Sequence, residues 1–158
     1  MLTEPLAVSE RLVFPSLAET TAEAALAEMA AGLESAGVVP NAGDLAKKLV
    51  EREAMGSTGL GDGLAIPHCK VRDLADVVVS IGISRAGIDF HSADGQPVTV
   101  VFLVLSPAES PALHLQALAR ISRLIRMAGV ADSLRRAEGA TEVAAVWAAA
   151  ERHAAVPA

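Results

Sequence analysis

The 158-residue chain is 52% hydrophobic and 20% charged, with a formal net charge of −6 from 13 basic and 19 acidic residues. That composition suits one packed domain, at about 150 residues per domain, and excludes a disordered chain. Broad binding to a nucleic-acid backbone is excluded too, since it needs a basic footprint, and three Phe, one Trp and no Tyr are too few for base stacking.

We expect a single domain over 1–158 with its core between about residues 10 and 150. Much of the apolar content is alanine, and the longest apolar runs, Val98–Leu105 and Val143–Ala150, fall short of the roughly 18 residues of a membrane span. The start, Met1-Leu2-Thr3-Glu4-Pro5, has no basic segment followed by an apolar one. The lone Cys69 forms no internal disulfide. Both features predict a cytoplasmic protein without membrane insertion.

In chain order, Leu12–Leu17 reads as a short edge strand that Pro15 ends. A helix then begins at a cap formed by Thr20 or Thr21, carries Ala25, Met29 and Leu33 on one face, and stops at Gly37. A second helix, opened by Pro40-Asn41, runs through Asp44–Ala54 with Leu45, Leu49 and Val50 on its apolar face. Next comes Gly56-Ser57-Thr58-Gly59-Leu60-Gly61-Asp62-Gly63, with four glycines in eight residues, read as a loop built for close backbone approach. Leu64–Ile66, Val77–Ile83 and Val98–Leu105 read as strands, and Gly87–Gln96 as a further short strand with a turn at Asp94-Gly95. Helices follow at His114–Met127, Ala131–Ala137 and Thr141–Ala150, the last capped by Thr141. Residues Ala154–Ala158 read as a frayed end. This order predicts an α/β domain whose sheet is covered by helices.

Chemistry concentrates where the glycine loop runs into Ile66-Pro67-His68-Cys69-Lys70. Pro67 stiffens the backbone and presses Ile66 towards an extended conformation, holding His68 beside exposed loop amides. A ring nitrogen there suits a phosphoryl or anionic group. Taken alone, His68 reads as an ordinary surface histidine at a turn, and it is the adjoining glycine loop that points to a functional one. The loop is not a nucleotide cradle, because Gly56–Gly61 is followed by Asp62-Gly63 rather than Lys-Ser, and Gly59-x-Gly61-x-Gly63 leads into a strand.

Other candidates carry their own plain alternatives. His114 opens a helix, as a solvated residue or as a partner brought beside His68. Arg52 ends the second helix before the loop, as a polar-face residue or as a planar donor fork for phosphoryl oxygens. Ser57 and Thr58 either donate to a phosphate or satisfy the loop. Cys69 points away from its neighbour His68 on an extended chain, so a Cys–His nucleophile pair is disfavoured. The spacings of His68, His91, His114 and Cys69 match no standard zinc pattern. Asp89 and His91 read as solvated, and His153 carries no role.

Arg52-Glu53, two residues on Gly56-Ser57-Thr58-Gly59-Leu60-Gly61-Asp62-Gly63-Leu64-Ala65-Ile66-Pro67-His68, and then His114-Leu115-x-x-Leu118 resemble the fructose/mannitol-type enzyme IIA domain of the bacterial phosphoenolpyruvate-dependent sugar phosphotransferase system, whose nitrogen-regulatory branch shares the fold. The resemblance covers nearly the whole chain. It implies a mixed sheet flanked by helices on both sides, with His68 in a shallow exposed depression. His68 would take a phosphoryl group from an HPr-type carrier protein and pass it to an enzyme IIB domain, with Arg52 neutralising the phosphoryl oxygens and His114 hydrogen-bonding nearby. Ser57, Thr58 and Gly59 would form the phosphate loop, and neither metal nor cofactor would be needed. The nitrogen-type branch implies an alternative, a binding protein whose phosphorylation state signals to regulatory protein targets. The free-standing chain, with no fused IIB, IIC or HPr segment, leans slightly towards that alternative. Cys69 stands where the family often has glycine, so an exposed thiol would make the site sensitive to oxidation.

Overall fold

The computed structural model describes residues 6–155. A 3-10 turn at Glu10–Leu12 leads into β1 (Val13–Phe14), followed by α1 (Ala22–Ser35) and α2 (Ala42–Ala54). Three short strands come next, β2 (Gly59–Gly61), β3 (Leu64–Ala65) and β4 (His68–Val71). Two long strands, β5 (Val78–Ile88) and β6 (Val98–Pro107), precede α3 (Pro111–Ile125), α4 (Val130–Arg136) and α5 (Ala140–Ala155).

These strands build one six-stranded sheet in the order β1-β5-β6-β3-β2, with β4 also paired to β6. β5 and β6 are antiparallel, from Val78 opposite Leu105 to Ile83 opposite Val100. β1 lies parallel to β5, while β3 and β4 both run parallel to β6. β3 and β4 are two stretches of one line along β6: Leu64 and Ala65 face Val100 and Val101, and His68 faces Val104. Pro67 interrupts the line because it has no N–H to donate, yet its carbonyl still accepts from Val104 N at 2.9 Å. The expected mixed α/β sheet is present.

Helices cover both faces. Along β6, Val100, Phe102 and Val104 enter a core with α3, α4 and α5, while Val101, Leu103 and Leu105 enter a second core with α1 and α2. A strand covered on both sides has no solvated face, so its sequence is a continuous apolar run. Trp147 of α5 anchors the first core: its ring meets Phe102 at a centroid distance of 5.1 Å, and its Nε1–H donates to the Leu6 carbonyl at 2.7 Å. Trp147→Ala is expected to cost about 3–5 kcal/mol of unfolding free energy, read as a lowered denaturant midpoint with an unchanged slope. No helix among the described residues is long and apolar enough to cross a membrane.

Several boundaries differ from expectation. The first strand is only Val13–Phe14, since Leu12 belongs to a 3-10 turn and Pro15 cannot donate onward. The glycine-rich segment is not all loop: β2 and β3 form a small antiparallel hairpin. The expected strand after Gly87 is the end of β5, displaced by a register shift between Ile83 and Ile88. His68 is the first residue of a strand of its own, β4, separated from β3 by Ile66 and Pro67. α3 begins at Pro111, three residues before His114, because proline suits the first helical turn. Thr141 lies within α5, where its hydroxyl donates to Glu10 at 3.2 Å instead of capping the helix. α5 stays helical to Ala155, so Ala154 is not frayed, and residues 156–158 lie outside the described ones.

Candidate functional site

Pro67 and the β4 register fix His68. Its Nδ1 lies 2.7 Å from the Ile66 carbonyl oxygen, which can only accept, so Nδ1 carries the proton and Nε2 keeps its lone pair. Half-burial lowers the ring's pKa below the ordinary 6.5, the Ile66 bond opposes that shift, Arg52 reinforces it and Glu53 opposes it. The group is therefore a neutral imidazole near pH 7 with one nucleophilic nitrogen. Cys69, one residue on, packs with the core on the α1–α2 side, as alternation along a strand requires. Burial pushes its thiol up to about 11, so it carries little thiolate at neutral pH and is a poor target for oxidation.

His114 reaches His68 from the opposite element. It occupies the fourth position of α3, is buried at 7% exposure, and its ring centroid lies 5.3 Å from that of His68 with a 52° tilt. Its Nδ1 is 2.8 Å from the Ser106 hydroxyl at the end of β6. Burial lowers its pKa, and the neighbouring charges of His68 and Lys70 lower it further.

Arg52 lies in the last turn of α2, where its Nη1–H donates to the Gly56 carbonyl at 3.0 Å, the one hydrogen bond its guanidinium makes among the described residues. The following residue, Glu53, accepts the Thr58 N–H at 3.1 Å and the Thr58 hydroxyl in a shorter bond. Ser57 Oγ donates to the Phe90 carbonyl at 2.6 Å and accepts the Gly59 N–H at 3.0 Å. A side chain at Gly59 would place its Cβ 2.3 Å from Ser92 Oγ, so only glycine lets the hairpin approach this closely. At the hairpin tip, Gly63 has φ +78°, a conformation other residues rarely adopt, and Arg135 holds the Asp62 carbonyl.

Together Arg52, Ser57, Thr58, Gly59, Leu60, Ile66, His68, Leu118 and Ser122 line an open depression of about 220 Å³. The hydroxyls of Ser57 and Thr58 and the amides of Thr58 and Gly59 are engaged within the chain, which makes the loop a stiff wall. Among the described residues, Arg52, His68 and Ser122 are the lining residues whose side chains keep polar atoms without a hydrogen-bond partner, and His114 packs against the His68 ring. A larger cavity of about 610 Å³ between α4 and α5 shares no lining residue with this depression and has a mostly apolar wall.

Four residues here escaped the sequence reading as contributors. Leu118 and Ser122 follow His114 at four-residue steps on one helix face, a signal that was readable. Glu53 stood within the motif without a role. Ser106 follows directly on an apolar run, and nothing local says what it touches. The remaining histidines stay apart: His91 is exposed with Asp89 at 3.6 Å, and His153 borders the larger cavity. Among the described residues, no three His, Cys, Asp or Glu side chains come together as a metal site.

Residues 7–149 match the family model described as the phosphoenolpyruvate-dependent sugar phosphotransferase system, EIIA 2. A nitrogen regulatory protein of Bradyrhizobium diazoefficiens is 39% identical over 142 residues, covering 89% of this chain and 92% of the relative. The fructose-specific EIIABC component of Bacillus subtilis is 34% identical over 111 residues, which is 70% of this chain but only 18% of that larger protein. Among solved structures, the nitrogen regulatory protein IIA-Ntr of Neisseria meningitidis superposes with a TM-score of 0.80 at 26% identity, covering 89% of this chain and 95% of that one. The depression around His68 thus sits in a chain that belongs to the EIIA 2 family of the phosphoenolpyruvate-dependent sugar phosphotransferase system.

Proposed function

We propose that the protein is a phosphocarrier that accepts a phosphoryl group on His68 from an HPr-type carrier and passes it to an enzyme IIB domain. One observation carries this reading: His68, its Nδ1–H engaged by Ile66 and its pKa lowered by burial, lines a depression shared with Arg52. In the transfer, the Nε2 lone pair forms a new N–P bond as the donor's N–P bond breaks. The donor ring, protonated on its second nitrogen, leaves as neutral imidazole, and the proton of His68 stays on Nδ1, hydrogen-bonded to the Ile66 carbonyl. No electrons are exchanged and no metal is required. Because the transition state is loose, catalysis consists of alignment and charge stabilisation, the task of Arg52 with His114 beside it. Ser57, Thr58 and Gly59 wall the phosphoryl position.

An open depression suits a reaction in which the partner brings its own side chain. Met55 and Leu115, exposed at 83% and 68%, follow closely after Arg52 and immediately after His114, and give the surface around the site apolar contacts for a docking protein. The Bacillus relative, whose name joins A, B and C components, supports an enzyme IIB partner.

The near full-length match to a nitrogen regulatory protein favours a second reading, in which phosphorylation of His68 changes affinity for a regulatory target. There the added negative charge beside Arg52 is the signal. Incubation with phosphoenolpyruvate, enzyme I and HPr is expected to place a single acid-labile phosphoryl group on the chain, followed by intact mass. Absence of label with partners of proven activity would overturn the carrier reading. Loss of that label to a fructose-type enzyme IIB domain separates sugar transport from a retained, regulatory phosphoryl group.

A further inference from the structure

We propose that Ser106 is a positioning residue that holds His114 in the tautomer with its proton on Nε2, so that His114 offers a hydrogen-bond donor to the phosphoryl group on His68. The inference rests on the reading of His68 as phosphoryl acceptor and assigns a task to a strand residue outside the motif.

Ser106 is fully buried near the end of β6, opposite Lys70 of β4, and His114 Nδ1 is the one partner its hydroxyl has among the described residues. A hydrogen bond between a hydroxyl and an imidazole nitrogen can run either way. If Nδ1–H donated, the serine proton would be left without an acceptor inside the core, which native structures avoid. If the hydroxyl donates, the serine proton is satisfied and Nδ1 is the accepting nitrogen. The proton of the neutral ring must then sit on Nε2.

The neighbouring ring makes this choice productive. His68 presents a lone pair, because the Ile66 carbonyl takes its Nδ1–H. His114, 5.3 Å away between centroids, then presents the complementary proton to phosphoryl oxygens attached to that lone pair. Two lone pairs facing a dianionic group would instead repel it. Burial and the adjacent His68 and Lys70 keep the His114 ring neutral, so its tautomer, rather than its charge, is what Ser106 sets. Both anchors are rigid, one on the strand covered by both cores and the other in the first turn of α3.

The test uses the full chain, labelled with ¹⁵N, at a pH above the histidine range, where long-range ¹H–¹⁵N correlations distinguish the two ring nitrogens. Wild type is compared with Ser106→Ala and with the near-isosteric pair Ser106→Thr and Ser106→Val. Wild type and Ser106→Thr are expected to show His114 wholly as the Nε2–H tautomer. Ser106→Ala and Ser106→Val are expected to show a mixture, with phosphoryl uptake from phospho-HPr slowed about tenfold. His68 should keep its proton on Nδ1 in every variant. A wild-type His114 protonated on Nδ1 overturns the proposal, as does a Ser106→Val protein with wild-type tautomer and rate. Should the larger side chains prevent folding, Ser106→Ala against wild type decides in the same terms. The spectra are read on unphosphorylated protein, so failure of wild type to take up phosphate refutes the carrier reading and is distinguishable from failure of the tautomer assignment.

Discussion

His68→Ala is expected to abolish acid-labile phosphorylation completely, with the fold unchanged by circular dichroism and thermal melting. No second group among the described lining residues is placed to carry an acid-labile label, since a phosphate ester on the Ser122 hydroxyl would be acid-stable. His114 is buried with its Nδ1 bonded to Ser106, and Cys69 is held as thiol on the other side of the strand. Ser57 and Thr58 spend their hydroxyl protons on Phe90 and Glu53. Intact mass after incubation with phosphoenolpyruvate, enzyme I and HPr checks this, and label on the variant would place the acceptor elsewhere. The same assay gives a pH dependence with a defined sign. Burial lowers the His68 pKa below 6.5, so the neutral nucleophile persists as pH falls from about 8 towards that value. Uptake should be flat across that range and decline only below it. An inflection above 6.5 would mean that Glu53 and the Ile66 bond outweigh desolvation.

Arg52→Ala is expected to slow phosphoryl uptake about 10²-fold, since a preorganised cation at developing charge typically contributes that much to a transition state. The loss should fall on the maximal rate rather than on the donor concentration at half-maximum, because docking of the donor protein relies on the surrounding surface. Arg52→Lys should recover only part of the rate. An ammonium keeps the charge but lacks the planar fork that can hold the Gly56 carbonyl and a phosphoryl oxygen at once. Rapid mixing with phospho-HPr, followed by alkaline quenching that preserves the acid-labile label, separates these cases. Equal rates for Arg52→Ala and wild type would remove Arg52 from the mechanism. Because the Gly56 bond also ties the end of α2 to the loop, the melting temperature of each variant belongs beside its rate.

Local pattern was a good guide wherever neighbours in sequence decide the outcome. Thr21 caps α1 by accepting the Ala24 N–H at 3.2 Å, and Asn41 caps α2 through Asp44 N at 2.9 Å, both within three residues. The two long strands were visible as Val- and Ile-rich runs because they are buried on both faces. Legibility failed where a partner lies far along the chain. β4 is too short and polar to be recognised alone, and exists because Cys69, Lys70 and Val71 find Leu105, Ser106 and Pro107 on β6. The hairpin in the glycine segment likewise depends on β3 docking against Val100 and Val101.

By itself, the sequence determined the α/β class, the two-sided burial of the central strands and the family motif, and it singled out His68 as the candidate reactive residue. It did so because periodicity, caps and the stiffness of Ile66-Pro67-His68 are local properties. Only the tertiary structure decided that His114 stands against His68, that Glu53 and Phe90 lock the loop donors, and that Ser106 reaches His114. Those relations join different secondary-structure elements across the folded domain, and the distances and proton positions that govern the chemistry exist only once β4, β6, α2 and α3 are packed together.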